Sequence, residues 1–323
     1  MVPDATFTSY YGRPVVKASP WTADIPAYLF LGGLAGGSSI LGAGADVSGR
    51  PVLRRSARLT ALGALSASFY ALVHDLGRPA RFHHMLRVAK VSSPMSVGTW
   101  ILTAYGPMAG LAAVSEAAPH LPRRLRESFL GRSMPTLGRG AGLAAAALGP
   151  AVASYTAVLL SDTATPTWHA AHRDLPFLFV GSASAAAAGA GLILAPTSEA
   201  GPARRLGIAG AALDLLTSRT MEPGMGIAAE PLHQGRAGAL LTAAHALTGA
   251  GAVLAGLGGL RAVGRGRRSV SVLAGGCLLA GSVCTRFGLF HAGQQSAQDP
   301  RYTVVPQRER ADLDQRSGPR IDH

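Results

Sequence analysis

An all-α, polytopic membrane protein is the fold class this chain predicts, and three observations predict it. Of its 323 residues, 48% are hydrophobic and only 15% charged, a balance foreign to ordinary soluble domains. Apolar runs of about 20 residues recur along it, the length at which a helix rising 1.5 Å per residue crosses the hydrocarbon. Basic residues gather in the connections between those runs, so the net charge of +13 speaks to membrane orientation and argues against nucleic acid as a partner.

Eight spans follow, bounded by Pro, Gly or Arg: residues 26–45, 59–75, 95–116, 141–160, 175–195, 206–217, 237–260 and 270–290. The first carries Gly32, Gly33, Gly36 and Gly37, small residues at the spacing that lets helices approach closely in lipid. No strand precedes these glycines and no Gly-Lys-Ser/Thr follows, so they are not a phosphate-binding loop. The second span ends on His74 and Asp75, with Gly77 closing the helix and Pro79 opening the next element. Between it and the third, Met85, Leu86 and Val88 alternate with Arg81, His83, His84, Arg87 and Lys90, which predicts a short amphipathic helix in the interface plane before Ser93-Pro94. The sixth span is the shortest.

Eight spans in one bundle leave both termini on the same side. The connections 46–58, 117–140, 196–205 and 261–269 carry more basic residues than the termini-side loops once the tail arginines are set aside. The positive-inside rule then places both termini outside the cytoplasm of a multi-pass plasma-membrane protein. Residues 1–19 hold neither a continuous apolar core nor a small-residue cleavage pattern, so no removable signal peptide is expected. Three regions result: an arm over 1–25, the membrane domain over 26–290, and a polar tail over 291–323. From Ser296 onward the tail is too polar to fold alone and is expected to be disordered or laid on a partner.

Ionisable residues at span ends are costly, about 2.5–3.5 kcal/mol each at mid-membrane, and therefore point to function. The termini side collects Asp24 and Tyr28, four apart on one face of the first span, His74, Asp75 and Arg78 after the second, and Tyr155 in the fourth. This set offers carboxylates, an imidazole and phenols, the groups that hydrogen-bond a carbonyl ligand and exchange its protons. Each also has a plainer reading: Asp75 pairs with Arg78 at a helix end, Asp24 caps the first span, and Tyr155 is an interfacial aromatic. Asp162 reads as a span-end cap and Trp168 as an interfacial anchor. Asp214, His245 and Arg286 lie in the sixth, seventh and eighth spans, where an internal Asp214–Arg286 pair is conceivable. No metal site is expected. Cys277 and Cys284 supply too few ligands for an iron-sulfur cluster or zinc, and only His245 lies well inside a span, which leaves no facing pair for haem.

Three stretches resemble the NrfD family, which includes the membrane anchor of polysulfide reductase. They are Tyr11-Gly-Arg-Pro with residues 25–37, then Asp75-Leu-Gly-Arg-Pro-Ala-Arg-Phe82 through Ser93-Pro-Met-Ser-Val-Gly98, then Arg286-Phe-Gly-Leu-Phe-His-Ala-Gly293 with Asp299-Pro-Arg-Tyr302 and the residues to Gln307. The resemblance implies an eight-helix subunit without its own redox centre. It would dock a four-cluster iron-sulfur subunit and, through it, a molybdopterin oxidoreductase, and exchange electrons with a quinone, menaquinone foremost. It puts the quinone site at the end of the first helices, the side that holds Asp24, Tyr28, Asp75 and Tyr155. Asp75 or His74 would exchange the proton that accompanies each electron, while Tyr28, Asp24, Tyr155 and Arg78 would hold the quinone. It also sends the N-terminal arm, through Arg13, and the tail onto the iron-sulfur subunit. The chain departs from some members in carrying Tyr28 where they have an imidazole. Two rivals stand beside this reading: a structural anchor without a quinone site, and a secondary transporter, for which no convincing inverted repeat is visible.

Overall fold

The computed structural model describes residues 14–120, 122–260 and 266–317, with side-chain surroundings through residue 309. The expected contact of the arm through Arg13 falls outside them. Every regular element among the described residues is helical: α1 (Asp24–Val47), α2 (Pro51–His74), a 3₁₀ helix (Pro79–Leu86), α3 (Pro94–Ser115), a single turn α4 (Arg123–Arg126), α5 (Phe129–Ser161), a short α6 (Pro166–Ala170), α7 (Leu175–Leu194), α8 (Gly201–Met221), α9 (Gly235–Leu257), α10 (Arg267–Gln298) and α11 (Arg301–Ser317). Two short 3₁₀ segments, Glu222–Gly224 and Gly226–Leu232, lie between α8 and α9.

Seven of these helices, α1, α2, α3, α5, α7, α9 and α10, are long and apolar enough to cross a membrane. The sequence led us to expect eight. The difference is α8, which has the length, 21 residues, but whose Arg204, Arg205, Asp214 and Arg219 lower its hydropathy. Boundaries moved where capping outweighs composition. Helix α5 begins at Phe129, well before residue 141, because Ser128 Oγ accepts the Gly131 amide at 3.2 Å. Ser93 caps α3 in the same way, accepting the Ser96 amide at 3.5 Å.

Helix α1 is the hub, packed against α2, α5, α7 and α10. Its glycines are what admit the neighbours. A methyl group on Gly36 would lie 2.6 Å from the Gly149 carbonyl oxygen of α5, and one on Gly37 would lie 2.7 Å from the Ala183 carbonyl of α7. Both distances are below any real van der Waals contact, so a side chain at either position would push helices apart. The second half of the bundle is a packed sequence of α7, α8, α9 and α10.

The two ends of the bundle differ in chemistry. At the end where α1 finishes and α2 starts, Glu116 accepts from both Arg54 Nε and Arg58 Nη1 at 2.8 Å, and Asp46 pairs with Arg54 at 3.2 Å and Arg139 at 3.5 Å. At the other end Trp21 stacks on Trp168 with ring centroids 5.8 Å apart, and Gln294 donates to the Ser19 carbonyl at 3.0 Å. Trp168 is a correction to the interfacial reading. It is 1% exposed, its indole donates to the Leu289 carbonyl at 2.8 Å, and Gly293 of α10 leaves room for its ring. The tail is likewise ordered where it leaves the bundle. Tyr302 is buried, and Arg301 pairs with Glu230 and with Asp299 at 3.2 Å, so α11 starts from a fixed point.

Candidate functional site

The site is assembled at the end of the bundle where α1 begins and α2 ends. The Thr22-Ala-Asp24 turn opens α1, with Ala23 in the capping position and no side-chain cap bond. Asp24 is therefore not the helix cap its position implied. Its carboxylate instead reaches across to α2, where Oδ2 lies 2.7 Å from His74 Nδ1. Tyr70 stacks on the same imidazole at 5.7 Å, one turn earlier on α2. Asp75, the next residue, accepts two bonds from Thr22: its backbone amide at 3.1 Å and its hydroxyl at 2.8 Å. The hydroxyl also lies 3.3 Å from Asp24 Oδ2, so Thr22 sits between the two carboxylates.

This places Asp24, His74 and Asp75 in one half-exposed cluster, as the sequence led us to expect. Arg78 is not in it. It is exposed at the start of the 3₁₀ helix and forms no ion pair with Asp75 among the described residues; the two bonds from Thr22 go to Asp75 Oδ1. In the 3₁₀ segment itself, His84 is held below the ordinary imidazole range by partial desolvation, then by Arg87 and His83. A 3₁₀ helix thus stands where the sequence predicted a short amphipathic one, but it ends at Leu86. Val88 and Lys90 lie beyond it, tied to α3 through Ser96, whose Oγ donates to the Val88 carbonyl at 2.8 Å and accepts from the Lys90 amide at 2.9 Å.

One turn deeper on α1, about 6 Å along the axis at 1.5 Å per residue, lies Tyr28. Its hydroxyl is hydrogen-bonded to the hydroxyl of Tyr155 on α5, and both side chains are buried, at 2% and 7% exposure. Tyr155 is therefore not an interfacial aromatic. Its ring fits against α3 only because residue 98 is glycine, since a methyl there would stand 2.4 Å from the ring. Ser68 of α2 donates to the Tyr28 carbonyl at 3.1 Å, which ties a third helix to the same turn.

Sequence reasoning missed four contributors: Thr22, Ser68, Gly98 and Tyr105. Tyr105 of α3 is fully buried, with its hydroxyl 2.7 Å from the Ala35 carbonyl and 2.8 Å from Ser39 Oγ of α1. A tyrosine inside an apolar span was the available signal for it, since a buried phenol needs a partner. Nothing in the spacing marked Thr22 or Ser68.

Beside the tyrosines, α2 and α3 part to form an apolar groove of about 400 Å³, lined by Leu65, Ser68, Phe69, Leu72 and Leu102 and covered by the 3₁₀ helix through Phe82. Neither tyrosine lines it; its link to them is Ser68, which bonds the Tyr28 carbonyl. Chemically, the end of the bundle thus offers, in order of depth, a carboxylate–imidazole–carboxylate cluster, two coupled phenols, and a lateral apolar groove. Among the described residues no group of three or more His, Cys, Asp or Glu is placed to hold a metal ion.

The family model described as polysulphide reductase, NrfD, matches residues 15–205, more than half of the chain and all of the elements just described. No curated protein matches the sequence.

Proposed function

The chain belongs to the NrfD family, hence to the multi-pass membrane subunits of respiratory oxidoreductase complexes, and from that premise we propose that it is the quinone-reactive subunit of such a complex. The observation that carries the proposal is the layering at the start of α1. Two phenols lie buried as a pair, and a proton-exchanging cluster lies one turn above them at the bundle surface.

The donor set fits a quinone head group, since Tyr28 and Tyr155 carry hydroxyls able to donate to a carbonyl oxygen, and the α2–α3 groove suits an isoprenoid tail. When bound, a quinone supplies two-electron, two-proton redox chemistry. The protein's part is to orient and to move protons. Tyr155 would donate its hydroxyl to a carbonyl of the quinone, while Ser68 holds the Tyr28 backbone and Gly98 leaves room for the Tyr155 ring. His74 shares a proton with Asp24 at 2.7 Å, and Asp75, steadied by Thr22, is the neighbouring acceptor open to solvent. A proton passing between the phenol level and water therefore has an imidazole and two carboxylates along the way. Burial of the phenols keeps water from the same carbonyl.

The partners follow the family. We assign a four-cluster iron-sulfur subunit as the electron partner and, beyond it, a molybdopterin oxidoreductase, both docked on the end that carries residues 14–24, α6 and α11. We further assign α8 as an eighth span, which puts both termini on one side, outside the cytoplasm of a plasma-membrane protein. A second reading, a structural anchor without quinone chemistry, draws on one observation: the two phenols already satisfy each other.

The deciding experiment is to purify the tagged chain from its native membrane and identify co-purifying proteins and extracted quinones by mass spectrometry. An iron-sulfur subunit together with a quinone supports the proposal. Partners without a quinone support the anchor, and neither overturns both.

A further inference from the structure

A different pair of charges lies in the other half of the bundle, past the end of the family match. Asp214 of α8 is 2% exposed, and neither carboxylate oxygen accepts a hydrogen bond. Arg286 of α10 is 1% exposed. Its guanidinium carbon lies over the Phe179 ring, 3.6 Å from the centroid, and Nη2 donates to the Phe179 carbonyl at 2.8 Å, which leaves Nε and Nη1 without partners. Gly33 makes room for it, since a methyl there would lie 3.3 Å from Nη2. No ion pair within 4.0 Å joins Asp214 to Arg286 among the described residues. A buried charge pair this incompletely satisfied is unfavourable as a structural device, because desolvation outweighs the attraction unless every lone pair and proton is bonded.

The pair lies next to a cleft of mixed polar and apolar lining, which neither residue itself lines. A cavity of about 290 Å³ opens between α8, α9 and α10, and its inner wall includes Ser218, one turn from Asp214 on α8, and Thr285, the residue before Arg286. Further out are Thr242 and the half-buried His245 of α9. At the mouth Glu222 and His233 form an exposed pair at 3.2 Å. Among the described residues Arg286 from α10 is the charged group beside the carboxylate, while His245 of α9 and Arg219, Glu222 and His233 line the neighbouring cleft.

We propose that Asp214 is a proton-binding carboxyl that exchanges with water through this cleft, with Arg286 as its fixed counter-charge. Uptake takes one proton from hydronium in the cleft and turns the carboxylate into the neutral acid, and release reverses it. No electron moves and no other group is consumed. The site is separate from the tyrosines and does not depend on the quinone reading.

The test uses the full chain in lipid nanodiscs, treated with dicyclohexylcarbodiimide, which adds to protonated carboxyls in apolar surroundings. The modified residue is mapped by peptide mass spectrometry across a range of pH. The expected result is labelling at Asp214 that declines as pH rises, with the decline displaced to higher pH in Arg286→Gln, because removing the cation favours the neutral acid. In a Cys277→Ser, Cys284→Ser background, Ser218→Cys should react with a charged methanethiosulfonate, showing that water reaches the inner cleft. Because the wild-type label locates Asp214 directly, the test survives if a variant fails to fold. An unlabelled Asp214 at every pH, or labelling that does not change with pH, overturns the proposal and leaves a static charge pair, as does an unreactive Cys at 218.

Discussion

Removing one hydroxyl from the Tyr28–Tyr155 pair should cost more than removing both. The two phenols are buried, at 2% and 7% exposure, and each hydroxyl is the other's partner. In Tyr155→Phe the Tyr28 hydroxyl remains buried and unpaired, a penalty of about 1–3 kcal/mol, and Tyr28→Phe strands Tyr155 in the same way. The double variant strands neither and should lie closer to wild type than the sum of the single losses, a coupling of about 0.5–3 kcal/mol in a double-mutant cycle. The assay is unfolding in detergent for all four proteins, with quinone-analogue binding measured beside it. For binding, one lost hydrogen bond of about 0.5–1.5 kcal/mol predicts about 2- to 12-fold weaker affinity for Tyr155→Phe. Additive stability losses would refute the pairing. Unchanged affinity would leave Tyr155 a packing residue.

Asp75→Asn should slow quinol-linked turnover while leaving complex assembly intact, because Thr22 can still donate to the amide oxygen; unchanged turnover returns Asp75 to a helix-end role. Gly36→Leu should destabilise the bundle by about 1–3 kcal/mol or more, since even its first carbon lies 2.6 Å from the Gly149 carbonyl, and a melting curve that does not move would refute the close α1–α5 approach. Glu116→Leu removes the acceptor shared by Arg54 and Arg58 and leaves the buried Arg58 only Asp46, at 3.7 Å, for a loss of up to about 3–5 kcal/mol; a loss within about 0.5 kcal/mol would show the cluster to be solvated.

The apolar helices were legible because length and hydropathy are local properties. Helix α8 was only half legible: its charges shortened the apolar run to 206–217, although the helix itself runs over Gly201–Met221. That Asp24, Tyr28, His74 and Asp75 share a bundle end was legible too, by simple counting of turns. Their pairing was not. Asp75 had a nearby arginine in sequence, yet a threonine from the start of another helix satisfies it. Trp168 was misread for the same reason, since an aromatic near a span end looks interfacial until α10 presents Gly293 to it. Which neighbour a polar group finds depends on helix rotation, and rotation is set by the small residues of several helices at once.

The central place of α1 has a bearing on how the protein is made. It is synthesised before the other helices described, yet the surfaces that cover Gly36 and Gly37 belong to α5 and α7, which are synthesised much later. Until then α1 has beside it only α2 and, through Tyr105, α3. The first half of the chain is thus translated with that flank of its hub uncovered, and the Asp24–His74–Asp75 cluster between α1 and α2 can form before the buried tyrosines meet. The quality of insertion is decided when α5 arrives, so a defect at Gly149 should surface as degradation of a nascent intermediate rather than as a weakened mature complex.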